Sequence, residues 1–113
     1  MHELSIMLEI VKTVEQSAAE NEVSNIETLV LQIGELSSMI PKFIEEVYPA
    51  AVTGTILEGT KLEIEMLPAI ARCNACGKTF NAVAYKGICP ECGGKELKLL
   101  SGREFNIKEI VVT

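Results

Sequence analysis

Apolar side chains at Leu4, Met7, Leu8, Val11, Val14 and Ala18 recur at helical spacing, while Glu9, Lys12, Glu15 and Gln16 fall elsewhere on the wheel. Residues 3–20 therefore read as an amphipathic helix. Ile6 and Ile10 widen its apolar stripe. A helix this apolar packs on something, so its first turn, and with it His2, is expected near the body of the protein. Met7 reads as core rather than as a thioether ligand. Polar turn formers from Asn21 to Asn25 break the pattern, and Ile26–Ile33 then reads as a strand. Leu29, Leu31 and Ile33 face one way, Thr28, Val30 and Gln32 the other, and Gly34 ends it. Pro41 suits the first turn of a second helix whose buried face is Phe43, Ile44, Val47, Tyr48 and Ala51. Pro49 lacks the N–H that a helix interior uses, which predicts a kink or an early end near Tyr48.

Gly54 and Gly59 flank a loop. Lys61–Ile70 then alternates Leu62, Ile64 and Met66 against Glu63 and Glu65, an amphipathic strand running almost directly into the first cysteine. Residues 104–112 are rich in β-formers, with Phe105, Ile107, Ile110, Val111 and Val112, and read as a last strand. The expected class is α+β: two helices packed on a small mixed three-stranded sheet, with a four-cysteine zinc-ribbon-like module inserted between two of the strands. That places one domain at residues 1–70 and 101–113 and a second at 71–100.

The inserted segment carries Cys73-Asn-Ala-Cys76-Gly77 and Cys89-Pro-Glu-Cys92-Gly93, two copies of C-x-x-C-G with twelve residues between Cys76 and Cys89. A two-residue gap lets both sulfurs of one turn face a single ion. The following glycine accepts a backbone conformation, often with positive φ, that other residues resist. Two such turns complete a tetrahedron, and four thiolates around one Zn(II) make a closed structural site with no open position for water or substrate. About twenty residues cannot build a core of their own, whereas a structural zinc is worth on the order of 10–16 kcal/mol in small finger peptides. Iron in the same four sulfurs and a dithiol redox pair are the alternatives.

At 113 residues and 48% hydrophobic, the chain is one small globular unit or a modest domain with a smaller module. No stretch approaches the ~20 apolar residues of a membrane span, and the start is acidic and amphipathic rather than signal-like, so a cytoplasmic protein without membrane attachment is expected. A reducing compartment favours metal ligation over disulfides for the four cysteines. The net charge of −6 is uneven: residues 1–71 hold three lysines against twelve glutamates, giving −9, and residues 72–113 hold seven lysines and arginines against four glutamates, giving +3. Neither half has the dense basic stripe of a nucleic-acid binder. Catalysis is not expected. There is no aspartate, no tryptophan and no histidine beyond position 2, and Walker-type or GxGxxG loops are absent, which excludes a Ser-His-Asp triad or an H-x-E deaminase site.

The single histidine, His2, is separated from the chain's amino group by Met1 alone. An imidazole, a terminal amine and the first backbone nitrogens (Met1, His2, Glu3) lie within a few bonds, so one segment can wrap a divalent transition metal in nitrogen. Nitrogen in a plane suits nickel or copper. Met1 is expected to be retained with a free amine, because histidine is too large for the usual trimming.

An amino-terminal Met-His-Glu, an amphipathic helix, a strand ending in Ile33-Gly34-Glu35-Leu36-Ser37 and two C-x-x-C-G knuckles between strands together resemble the HypA/HybF family of hydrogenase-maturation nickel metallochaperones. The resemblance covers the whole chain. It implies nickel ligands at the Met1 amine, the His2 imidazole and backbone nitrogen near His2 and Glu3, and zinc ligands at Cys73, Cys76, Cys89 and Cys92. It also implies Ni(II) as transient cargo and Zn(II) as a structural cofactor. The implied partners are a hydrogenase-maturation GTPase and the [NiFe]-hydrogenase large subunit, with urease supported in some organisms and a homodimer left open. The rival is a zinc-ribbon binding module that meets nucleic acid or a transcription component through Arg72, Lys78, Lys86, Lys95 and Lys98. It leaves His2 unexplained.

Overall fold

A computed structural model describes residues 2–113, the first of them by its backbone alone. Helix α1 spans His2–Glu20. Met7, Val11, Val14 and Ala18, one stripe at helical spacing, are buried, with Met7 and Val14 wholly so. Leu8, counted in that stripe by the sequence, stays 49% exposed, since the buried face is narrower than the apolar one. The helix ends in a Schellman turn, with the Val23 N–H donating to the Ala18 carbonyl (2.8 Å) and the Glu22 N–H to that of Ala19 (3.3 Å). Glu22 holds the left-handed position, at φ 55°.

Strand β1 is Ile26–Gly34 and helix α2 is Pro41–Val52. Pro41 starts α2, and Ile44, Val47, Tyr48, Ala51 and Val52 form its buried face against α1. Two expectations fail here. Phe43 is 44% exposed rather than core, and of the kink or early end expected near Tyr48 the early end does not occur, since α2 continues past Pro49 to Val52. Burial of Ala51 and Val52 beyond the proline offsets the bond it cannot donate, and the Thr53 hydroxyl donates to the Pro49 carbonyl (2.8 Å). Tyr48 is pinned in turn: its hydroxyl donates to the Thr60 carbonyl (2.9 Å), and the Thr60 hydroxyl donates to the Ile26 carbonyl (2.8 Å).

Strand β2 covers Lys61–Leu67, and Pro68 ends it three residues before the expected boundary. The chain resumes as β3 (Ile70–Cys73), β4 (Thr79–Asn81), β5 (Leu97–Leu99) and β6 (Phe105–Val112). One three-stranded sheet has the order β2-β1-β6 and a second the order β4-β3-β5. The central strand β1 is buried on both faces, which is why Thr28 and Val30 are buried as well as Leu29, Leu31 and Ile33. The sequence foresaw about three strands; the three short ones around the cysteines carry too few residues for alternation to show. In that second sheet β3 pairs antiparallel with both neighbours, setting Ala71 opposite Phe80 and Leu99.

By internal packing the chain divides into two units: one reaches from the amino-terminal segment to Leu31 and takes in Met39–Glu65 and Asn106–Thr113, and the other comprises Gln32–Ser38 and Met66–Phe105. The second unit holds the cysteines.

The two backbone misfits of the helical unit are open to test. Glu22→Gly removes the left-handed Cβ penalty and is expected to stabilise by about 0.5–1 kcal/mol. Pro49→Ala restores a helix donor on an exposed position and is expected to gain roughly 1–3 kcal/mol. Urea unfolding followed by circular dichroism measures both; a loss of stability in Pro49→Ala would mean that the proline ring makes a contribution the helix does not reveal.

Candidate metal centre

The end of β3 delivers Cys73, and the two knuckles that follow are built alike. In the first, the Gly77 N–H donates to the Cys73 carbonyl and the Cys73 N–H to that of Lys78, both at 2.9 Å. In the second, the Gly93 N–H donates to the Cys89 carbonyl and the Cys89 N–H to that of Gly94, again both at 2.9 Å. Gly77 and Gly93 take φ 75° and 74°, the left-handed value anticipated for the residue after each pair. Among the described residues, Cys73, Cys76, Cys89 and Cys92 are the group able to share an ion, with all four sulfurs within 4.8 Å of one another. Cys73 Sγ lies 3.5 Å from Cys92 Sγ, and Cys76 Sγ lies 3.6 Å from Cys89 Sγ. A tetrahedron with arms of ~2.3 Å has edges of about 3.8 Å, so four thiolates here fit one zinc closely. Cys73 and Cys89 are buried, while Cys76 and Cys92 are exposed.

The thiols do not titrate independently. N–H groups of Cys76 and Ala75 draw the Cys73 thiol down to about 7, with hydrogen bonds from Cys92 and Cys76 adding to them against the cost of burial. Cys92 receives the Gly94 N–H, which lowers it, but the Cys73 sulfur, burial, Cys76 and Cys89 together push it up to about 12. Cys76 is raised too: burial and its contacts with Cys89 and Cys73 outweigh the Lys78 N–H. Cys73 is thus the more readily ionised of these thiols, and Cys76 and Cys92 hold their protons more tightly. A divalent cation is what would ionise all four, and it would release those protons on binding.

The apolar support is small. Ala71, Cys73, Phe80 and Cys89 make a buried cluster flanked by Ala82, Leu97 and Leu99, so two of its four buried members are themselves candidate ligands. Phe80 meets Tyr85 edge to face, ring centroids 6.3 Å apart.

What anchors this cluster was missed in the sequence. Glu35, just past β1, accepts from the Ala69 N–H (2.8 Å) and the Asn81 side-chain amide (3.0 Å) through one carboxylate oxygen. The Asn81 carbonyl oxygen then accepts from the N–H groups of Val83 and Ala84, at 2.9 and 2.8 Å. The Ala69 N–H, and after it the Asn81 amide, hold the Glu35 carboxyl below its ordinary value. Beside it two backbones cross: a Cβ added to Gly34 would lie 2.2 Å from the Gly102 carbonyl, and one on Gly102 would lie 2.6 Å from Ala69 Cα. Gly34-Glu35 had entered the reading only as part of a strand end.

The amino-terminal candidates are not brought to this cluster by anything described. Met1 lies outside the described residues, His2 contributes the first backbone position of α1, and Glu3 is a half-buried acid in the first helical turn.

The family model for "Hydrogenase/urease nickel incorporation, metallochaperone, hypA" matches residues 1–112. The chain belongs to the HypA family. The hydrogenase maturation factor HypA of Chlorobium limicola is 39% identical to this HypA-family chain over 112 residues, covering 99% of it and 97% of the relative. That of Geobacter metallireducens is 38% identical, covering 99% of each. Among solved structures, the HypA protein in solution superposes with a TM-score of 0.72 at 25% identity over 100% of this chain and 97% of the other. The Ni metallochaperone HypA from Helicobacter pylori shares the fold, with a TM-score of 0.67 at 23% identity over 97% of this chain and 96% of that one. The two helices, the three-stranded sheet and the clustered cysteines expected from the sequence, with a second small sheet around the cysteines, are thus the HypA-family arrangement.

Because the Glu35 carboxyl is held below its ordinary value in the folded chain, its contribution to stability is full above the unfolded-state carboxylate range and fades as pH falls through the lowered folded value. Glu35→Gln is expected to be less stable than the parent at neutral pH, with the gap closing as pH falls below the ordinary carboxylate range. Urea midpoints across that range decide it; a constant gap would remove ionisation of Glu35 as the cause.

Proposed function

We propose that this chain carries Ni(II) for the assembly of nickel enzymes, binding the ion through its amino-terminal segment and passing it, with a partner GTPase, to the [NiFe]-hydrogenase large subunit. The observation that carries the reading is the match of residues 1–112 to a nickel-incorporation family. Urease is a further client named in that family's description. The proposed cargo ligands are the Met1 amine, the His2 imidazole and backbone nitrogen near His2 and Glu3. A few nitrogens at a chain end hold an ion tightly enough to select it and loosely enough to give it up.

Cys73, Cys76, Cys89 and Cys92 are proposed to hold Zn(II) as a closed structural site, which fits the near-tetrahedral sulfur spacing. Four sulfurs leave no position for substrate, so the site supports folding rather than catalysis. The proposal assigns nickel to the α+β unit and zinc to the cysteine-bearing unit; the bounds expected from the sequence, 1–70 with 101–113 and 71–100, differ from the packing units at residues 32–38, 66–70 and 101–105. Among the described residues no helix is long and apolar enough to cross a membrane, and free thiols suit a cytoplasmic setting.

Adding Gly-Ser before Met1 turns the amine into an amide and moves the free amine away from His2. The extended protein is expected to keep its zinc and its circular dichroism and to lose most nickel affinity, as His2→Ala should. Unchanged nickel stoichiometry and affinity by calorimetry would remove the Met1 amine from the site. Cys73→Ser is expected to lose zinc and the order of the cysteine unit while the α-helical signal partly survives. Retention of a full equivalent of zinc, by elemental analysis, would overturn the four-sulfur assignment.

A further inference from the structure

We propose that the four cysteines are also a site of oxidation, at which a hydroperoxide closes two disulfides across the knuckles, Cys73 with Cys92 and Cys76 with Cys89, and expels the ion. The expulsion rests on the zinc reading above; the pairing rests on geometry alone. Two sulfur contacts cross from one knuckle to the other, Cys73 to Cys92 at 3.5 Å and Cys76 to Cys89 at 3.6 Å. A disulfide needs ~2.05 Å, so each pair has about 1.5 Å to close.

Burial assigns the roles. Each pair combines one exposed sulfur with one buried sulfur: Cys92 with Cys73, and Cys76 with Cys89. With an ion among them all four sulfurs are thiolates, so exposure decides the order: the exposed member meets the oxidant and the buried member resolves it. The backbone on either side keeps the knuckles face to face: the Asn74 N–H donates to the Glu96 carbonyl (3.0 Å), and Cys73 stands opposite Leu97 in the ladder between β3 and β5. Gly94 lies directly over the first pair, since a Cβ there would be 3.2 Å from Cys73 Sγ and 3.3 Å from Cys92 Sγ. A bridge from Cys73 to Cys92 and another from Cys76 to Cys89 would thus tie together chain segments that are already adjacent.

The chemistry balances without further reagents. The Cys92 sulfur attacks one peroxide oxygen; an S–O bond forms, the O–O bond breaks, and the departing hydroxide leaves as water. The Cys73 sulfur then attacks the Cys92 sulfur of the resulting sulfenic acid, forming the S–S bond and releasing the second oxygen as water. Cys76 and Cys89 repeat the sequence. Two hydroperoxides take four electrons from four sulfurs, and where the sulfurs start as thiolates the four protons required come from solvent.

The test uses the unmodified protein, isolated anaerobically with its metal and titrated with hydrogen peroxide. Zinc release is followed with a chromophoric chelator, thiols are counted, and disulfides are mapped without reduction. Trypsin, cutting after Lys78 and Lys86, separates the knuckles. Cleavage after Glu91 separates Cys89 from Cys92, and fragmentation between Cys73 and Cys76 completes the assignment. The expected result is complete loss of thiols at about two peroxides per chain, release of one zinc, knuckle peptides joined as Cys73–Cys92 and Cys76–Cys89 in a monomer, and recovery of zinc binding after dithiothreitol. Disulfides within each knuckle, the opposite cross pairing, links between chains, sulfinic acid products or persistence of all four thiols would each overturn the proposal. Protein isolated without zinc that nevertheless forms the two named disulfides would overturn the zinc reading and leave the pairing standing.

Discussion

Four sulfurs confined within 4.8 Å of one another cannot all be thiolates unless a cation sits among them. Much of the cysteine-bearing unit follows from that constraint. Its buried cluster is four residues, two of them cysteines, so apolar burial alone cannot hold residues 66–105 in place. The divergence of Cys73, near 7, from Cys92, near 12, describes the same conflict in protonation terms. An ion would resolve it by replacing shared protons, and folding of the unit and binding of the ion would then be one event.

A second constraint is geometric. Gly34 and Gly102 pass so closely that a Cβ on either would meet backbone, and Glu35 spans the gap between the end of β1 and the Ala69 and Asn81 positions. Hydrogen bonds run both ways there, from the Gly34 N–H to the Glu104 carbonyl (2.8 Å) and from the Leu36 N–H to the Gly102 carbonyl (2.7 Å). Residues 32–38, which in sequence look like the tail of a strand, therefore belong to the cysteine unit. The Asn81 side chain extends the chain of bonds into the turn that leads to the second knuckle, so a carboxylate remote in sequence helps to set where that knuckle begins.

The functional reading joins two kinds of site with opposite physical requirements. A structural ion needs rigid, closed ligation, and the duplicated knuckles supply it through paired backbone bonds and left-handed glycines. A transported ion needs ligands that can be surrendered, which a chain end offers and a closed tetrahedron does not. On the proposed assignment one short chain carries both, and its 39% identity with a hydrogenase maturation factor extends over almost the whole of it.

Local information sufficed wherever a feature depends on near neighbours. The helical period fixed α1 and the start of α2, the alternation around Leu29 to Ile33 marked β1, and the C-x-x-C-G spacing by itself predicted both the convergence of four sulfurs and the positive φ at Gly77 and Gly93. Features that depend on distant partners were not legible. Whether α2 could run through Pro49 turned on the burial of Ala51 and Val52; Phe43 was left outside because the face of α2 is narrower than its apolar content; and strands of three or four residues show no period until β3 brings β4 and β5 beside it. Glu35 is the sharpest case. Its type and position carried no local signal, and only the fold, by bringing residues 34 and 46 positions away in sequence to the same carboxylate oxygen, decided what it does.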